Sequence, residues 1–529
     1  MNKNFYILLF VIITAFTLRF ANLTFPSFTS DEARIAYRGY VIATSGKDEL
    51  GRAFPLLFNS LEDYQLPAVS YLTAAGQLLF GKSEFGARIP FIIIGTLLVL
   101  IVYKLSKFFS PRPYIWFISA LMTAFSPSLI FLSKIPNETI LLTFIFALLF
   151  YLFLNNSNKI FIILTMITAV FTSKQAWFIL FPFVVYILLF YQKSWVKKDK
   201  LILIAFTAVL VLLAFTFFFS IPQARRSLSE NNFSIFSNIT IKNGIDKLRG
   251  QGLLSGWPPV IDRYLFNKLH FLTTGFLHWL SNISTAIYFG QMDSSGKINY
   301  SSLGAWAKII IIPFVVGFVS IINKGDQKKK LLVIFFLLLT YPAIFVYPNL
   351  STDLVVLTLP FMALIIALGF ERLNKQITVL IFFLMILEIA WNISFVSAEY
   401  KNTADSRPIL EKDMMTNITE KPITSKIAVS DDLVSDIVPY IEWYTLIDPN
   451  AGFEQVNSPY KFRQYSLGNI KVIGSDEKFS TCGIEQQMKI FVSNRDLKKI
   501  QTQFNIIILK IYNNNSDVNK VFLIEGVCT

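Results

Sequence analysis

Apolar residues fall into eleven long runs along this chain, at 5–21, 87–104, 114–132, 138–154, 159–173, 177–192, 201–220, 304–322, 331–347, 353–370 and 377–396. Each is close to the length at which a helix crosses roughly 30 Å of hydrocarbon. The pattern predicts an α-helical polytopic membrane protein with about eleven transmembrane helices. One further apolar stretch, LPAVSYLTAAGQLLFG at 66–81, is too short for a span and reads as a re-entrant or interfacial helix. Beyond residue 397 the texture changes. Short β-branched runs (IAVS, IKVIG, FNIIILKIY, KVFLI) stand between turn-forming Asn, Asp and Gly, which predicts a small α/β domain over 398–529.

Composition agrees with the pattern. The 529 residues are 54% hydrophobic and only 16% charged, against about 25% charged in soluble domains. The net charge of +14 does not point to nucleic acid, because no continuous basic face is visible. Lys and Arg collect instead in alternate short segments: Lys3; Lys104, Lys107 and Arg112; Lys159; Lys193, Lys197, Lys198 and Lys200; Lys324 and Lys328 to Lys330; Arg372 and Lys375. By the positive-inside rule these segments are cytoplasmic. The long loops 22–86 and 221–303 and the C-terminal domain then lie outside, leaving 1–397 as the transmembrane domain. The first run lacks a small-x-small cleavage site and reads as an uncleaved helix. A chain this rich in Asn, Ile, Lys and Phe reads as prokaryotic, a multi-pass protein of the plasma membrane whose N-x-S/T triplets are incidental. Cys482 and Cys528 fall in the outer domain, where either a bridge or two buried thiols fits.

The chemistry centres on an acidic pair, Asp31-Glu32, about ten residues past the first run. Thr29-Ser30-Asp31-Glu32 has the spacing of a capping box, and acids favour a helix N-terminus. ARIAYRGYVIATSG then reads as a helix closing at Gly46. Capping accounts for Glu32. It does not require Asp31.

Asp31-Glu32-Ala33-Arg34 is followed in order by Ser45-Gly46-Lys47-Asp48, Gly51, Pro55, Asp63-Tyr64, Pro67, Tyr71 and Phe80-Gly81-x-x-Glu84-Phe85-x-x-Arg88-x-Pro90, over sixty residues. Ser126-Pro127 and Ser133-Lys134-x-x-x-Glu138 come later. This order resembles the first external loop and third-to-fourth helix segment of bacterial relatives of the dolichyl-phosphate-mannose protein mannosyltransferases, with the aminoarabinose transferases of lipid A as more distant cousins. The resemblance implies a C-type membrane glycosyltransferase fold, a polyprenyl-phosphate sugar donor, a cell-envelope acceptor (protein, lipid or glycan) and inversion at the anomeric carbon. It makes Asp31 the general base that takes the acceptor's proton, with Glu32 orienting the acceptor or capping the helix.

Cations are needed on the departing phosphate. Arg34 and Arg38 share one helix face, though both also suit headgroup anchoring. Lys134 and Lys174 border runs and also suit snorkelling, and Glu138 lies at a run's edge. Asp63 and Tyr64 belong to the matched pattern. In the second loop Arg263, Lys268 and His270 lie in an aromatic and basic segment that also reads as an interfacial belt. The chain departs from its relatives at Gln65-Leu66, where they carry Lys-Pro, and at 349–353, where they often carry an arginine. With two histidines and no nearby Cys, zinc has little support; carboxylate and phosphate oxygens leave room for a divalent ion. No other cofactor is implied. The alternative reading is a flippase or transporter of lipid-linked saccharides, which would place its charges inside the spans. Here the spans are almost free of charge.

Overall fold

The computed structural model describes residues 3–23, 28–49, 51–60, 63–191, 195–225, 239–260, 264–284, 288–289, 305–345 and 348–402. In the C-terminal segment it describes 427–430, 439–440, 442–444, 464–467, 470–473, 489–494, 497–498, 506–512 and 521–526. Cys482, Cys528 and Arg263 lie outside the described residues. The chain forms two compact units. One comprises Met1–Ala21, Glu62–Ala68 and Phe91–Ser394; the other comprises Asn22–Leu61, Val69–Pro90 and Phe395–Thr529.

In chain order the first ten helices are α1 (Lys3–Phe20), α2 (Ser30–Ser45), α3 (Ala68–Phe80), α4 (Glu84–Phe109), α5 (Pro113–Phe125), α6 (Pro127–Ser133), α7 (Glu138–Leu154), α8 (Lys159–Thr172), α9 (Lys174–Tyr186) and α10 (Lys197–Phe219). Helices Ile311–Lys324, Gln327–Thr340, Pro348–Phe370 and Lys375–Asn402 follow later. Over their described residues the apolar runs are mainly helical. Among the described residues four helices are long and apolar enough to cross a bilayer, namely Glu84–Phe109, Lys174–Tyr191, Lys197–Phe219 and Asp353–Phe370. Pro113–Phe125 and Pro127–Ser133 make a fifth if counted as one span bent by 58°. The chain is a multi-pass membrane protein. At 13 residues α3 covers only about 20 Å, short of a span.

Packing in the first unit follows from where helices need close approach. From Leu354 to Phe370 the helix Pro348–Phe370 is apolar on every side and almost wholly buried, as a central helix must be. It meets Ile311–Lys324 backbone to backbone: a Cβ on Gly317 would collide with the Ile365 carbonyl, and one on Gly369 with that of Pro313.

The bend between α5 and α6 has a specific repair. Pro127 has no N–H to give the Thr123 carbonyl four residues back, so the helix breaks there. An orphaned carbonyl is costly in an apolar interior. Arg19 of α1, fully buried, fills the gap. It donates to Thr123 O and Ala124 O at 3.2 Å each, to Ser133 Oγ at 3.3 Å and to its own Ala15 O at 3.0 Å. Gly95 on α4 makes room, since a Cβ there would strike Ser133 Oγ.

The second unit carries α2, α3 and the six-stranded sheet of the C-terminal segment. Its strands are β3 (Ile427–Ser430), β4 (Gln464–Leu467), β5 (Ile470–Ile473), β6 (Lys489–Ser493), β7 (Ile506–Tyr512) and β8 (Val521–Gly526), preceded in the chain by β1 (Phe58–Ser60) and β2 (Asp63–Gln65). The order is β4-β5-β3-β6-β8-β7. β3 runs parallel to β5 and β6, and the remaining pairs are antiparallel. The runs IAVS, IKVI, IIILKIY and VFLI are strands, while β4 and β6 complete the sheet from less conspicuous segments.

Arg19→Met removes the donors that serve the break at Pro127. We expect it to cost about 2 kcal/mol from unsatisfied carbonyls, read as a lower midpoint of thermal aggregation in detergent. An unchanged midpoint would show that the bend needs no such repair.

Candidate functional site

α2 forms where its caps dictate. Thr29, in extended conformation, accepts the Glu32 N–H on its Oγ1 at 3.3 Å. At the other end Gly46 takes the left-handed conformation, φ 69°, and returns its N–H to Ile42 O. The interior of α2 is unusually polar for a buried helix, because Glu32, Arg34 and Arg38 are all buried. Each is paired or held.

Glu32 and Arg88 form the centre. Both side chains are 1% exposed, and Arg88 Nε and Nη2 reach Glu32 Oε2 at 2.9 and 2.7 Å. Arg88 Nη1 also donates to the Leu23 carbonyl, and its guanidinium lies 5.6 Å from the Phe28 ring centre. Glu32 Oε1 makes no hydrogen bond among the described residues. Burial pushes the Glu32 carboxyl up to about 7, against the pull of Arg88 and of the Thr29 backbone. Glu84, one turn before Arg88 on α4, adds to the rise through its own negative charge.

Asp31 is different. Its side chain is 68% exposed and stands 3.8 Å from Arg34 Nη1. The first turn of α2 thus holds one carboxylate buried and fixed, and presents the next to the surroundings. Further along, Arg38 Nε binds Glu49 Oε1 at 2.7 Å and lies over the Phe58 ring. Asp48 closes a small loop onto Arg52, accepting its backbone N–H at 2.7 Å and pairing with its guanidinium at 2.6 Å. α3 locks on from the other side. Gln77 Nε2 donates to Ala36 O at 2.7 Å, and a Cβ on Gly39 would crowd Thr73. Lys82 sits over Tyr40 at 4.7 Å and Trp443 at 5.1 Å, where burial pushes its ammonium down to about 8.

The structure therefore gathers Asp31, Glu32, Arg34 and Arg38 on one helix. Their burial replaces headgroup anchoring as the reading of the two arginines, and Arg38 is committed to Glu49. The other sequence candidates belong to the first unit. Lys134 is buried and donates to Ala21 O at 2.7 Å, closing the end of α1. Glu138 opens α7, next to the N-cap Asn137. Its neighbour Thr139 donates to Asp353 Oδ1 at 3.0 Å, within the segment where relatives often carry an arginine. Lys174 opens α9 with its ammonium over Phe218 at 4.8 Å. Tyr64 is buried in β2, where Asp63 also lies. His270, half-buried, opens helix His270–Asn282, and Lys268 lies in the π-helical turn Tyr264–Leu269 before it. Among the described residues no three His, Cys, Asp or Glu side chains converge as metal ligands.

Arg88, Glu49 and Lys82 were not singled out as site residues from the sequence. An arginine at the head of an apolar run resembles a headgroup anchor, and only its place in the matched pattern set Arg88 apart.

Residues 65–218 match the family model described as dolichyl-phosphate-mannose-protein mannosyltransferase. No curated protein sequence matches the chain. Among solved structures, the chain is similar to ArnT from Cupriavidus metallidurans bound to undecaprenyl phosphate, at 12% identity, TM-score 0.58, and over 99% of this chain and 98% of that one. It shares that fold. Weaker similarities are to the apo state of the same ArnT (12% identity, TM-score 0.44, 98% of this chain and 97% of that one) and to the Archaeoglobus fulgidus oligosaccharyltransferase (13%, 0.46, 84% and 64%).

The raised Glu32 carboxyl gives a signed prediction. A folded state that holds a proton up to about 7, where the unfolded chain releases it near 4.5, is stabilised below 4.5 and loses that contribution as pH rises toward 7. Glu32→Gln, neutral throughout, is expected to flatten the fall in thermal stability between pH 4.5 and 7. Parallel curves for the variant and the natural protein would contradict this assignment.

Proposed function

We propose that this protein is a membrane glycosyltransferase that moves a sugar from a polyprenyl-phosphate donor to a cell-envelope acceptor, inverting the anomeric carbon. The reaction would take place at the extracytoplasmic face, on which the positive-inside distribution puts the first loop. One observation carries the proposal: an exposed carboxylate, Asp31, stands on the first turn of a helix whose neighbouring acid is locked by a buried arginine. The family match over 65–218 and the ArnT-like fold favour the same chemistry. Undecaprenyl phosphate in that ArnT structure is the class of lipid we assign to the donor.

In this reading Asp31 takes the proton from the acceptor hydroxyl as its oxygen attacks the anomeric carbon. The bond from that carbon to the phosphate oxygen breaks on the opposite side, and polyprenyl phosphate leaves. Arg34, 3.8 Å from Asp31, is the cation we assign to the growing phosphate charge. Glu32 is occupied with Arg88, which favours a positioning role for it over direct contact with the acceptor. Asp63, Tyr64, Lys134, Glu138, Lys174, Arg263, Lys268 and His270 remain candidates on the sequence resemblance alone.

The test uses purified protein in lipid nanodiscs with radiolabelled polyprenyl-phosphate sugars and an envelope extract as acceptor. Asp31→Asn is expected to lower sugar transfer by about 100-fold or more while eluting as a monodisperse protein. Full activity of Asp31→Asn would remove the proposed base.

A further inference from the structure

Within the second unit, one turn of the C-terminal segment rests on the first-loop site. Tyr440 is fully buried and its hydroxyl donates to the Phe28 carbonyl at 2.7 Å. Tyr444 donates to Glu84 Oε1 at 2.7 Å. The two rings stack 6.5 Å apart. Trp443 packs on the Phe28 ring at 5.8 Å and takes the Lys82 ammonium on its face at 5.1 Å.

The contacts fall on neighbours of the Glu32–Arg88 pair. Phe28 immediately precedes Thr29, the cap of α2, and carries the Arg88 guanidinium against its ring. Glu84 lies one turn before Arg88 on α4, so its carboxylate can compete with Glu32 for that guanidinium. A hydrogen bond from Tyr444 occupies it. Burial and the Glu84 charge push the Tyr444 hydroxyl well above the usual tyrosine range, so it stays a donor.

We propose that this turn of the C-terminal segment is a positioning element for the reaction: Tyr440 fixes the entry to α2 and Tyr444 occupies Glu84, so that Arg88 is left to Glu32 and Asp31 keeps its place. The catalytic consequence rests on the function proposed above; the clamp itself does not. The outer domain is then part of the active centre's architecture rather than a detached cap.

The experiment uses the full-length protein in nanodiscs, with Tyr440→Phe, Tyr444→Phe, Glu84→Gln and the Tyr444→Phe/Glu84→Gln double variant. Hydrogen exchange is followed over residues 28–34 and 84–88, and kcat and donor KM are measured for sugar transfer. Loss of a hydrogen bond to a charged or buried group should matter by about tenfold. Tyr440→Phe is expected to speed exchange over 28–34 by about that factor. Tyr444→Phe should lower kcat similarly with donor KM unchanged, and cost nothing more in the Glu84→Gln background. Unchanged exchange in both tyrosine variants would overturn the clamp. So would losses for Tyr444→Phe and Glu84→Gln that multiply in the double variant. Should Tyr440→Phe fail to fold, Tyr444→Phe decides alone: natural exchange over 84–88 together with natural kcat would overturn the proposal. If the natural protein transfers no sugar while the exchange results hold, the clamp stands and the glycosyltransferase reading falls.

Discussion

Glu32 and Arg88 meet at 2.7 Å with almost no solvent on either side, and the second unit is arranged around keeping them together. Taking two ions out of water costs several kcal/mol each, and their attraction repays this only in good geometry. Removing one partner would strand the other, at about 3–5 kcal/mol. The pair therefore fixes where the first turn of α2 lies against the head of α4. Everything around it serves the geometry: the Leu23 carbonyl and Phe28 ring on Arg88, the Thr29 cap on Glu32, Gln77 on the α2 backbone. Asp31, next in line, inherits a fixed position while staying exposed.

Arginine has a related task in the first unit. Arg19 serves two carbonyls beside a proline break, where no water would otherwise satisfy them. Both arginines sit at the ends of apolar helices and look, in one dimension, like anchors in the headgroup region. Both are in fact buried hydrogen-bond hubs. Their five donors in a planar fork suit that work in a way lysine would not.

Local signals were readable from the sequence and long-range ones were not. The α2 boundaries followed from Thr29 and Gly46, since caps depend on neighbours within a turn. Helical runs such as 138–154 matched closely because lipid demands a continuous apolar stretch. In the sheet, IAVS and IKVIG announced themselves by β-branched residues, whereas β4 (QYSL) has little β-branched character to show. Arg88 pairs with a residue 56 positions away, and Tyr444 with one 360 away; no periodicity encodes such partners. The burial of Arg38 was equally hidden, because its mate Glu49 lies beyond the end of the helix that carries it. What separated Asp31 from an ordinary cap residue was the ordered pattern through Pro90, not its own spacing.

In the proposed reaction the fixed, exposed acid beside the buried ion pair would take a proton from the acceptor as the phosphate departs, and the proposal stands or falls on the bond between sugar and phosphate being broken. The most direct measurement is the amount of polyprenyl phosphate liberated for each sugar that leaves a radiolabelled polyprenyl-phosphate donor in proteoliposomes. The account predicts one lipid phosphate released per sugar transferred to the acceptor. Donor that crosses the bilayer intact, with no lipid phosphate released, would contradict it.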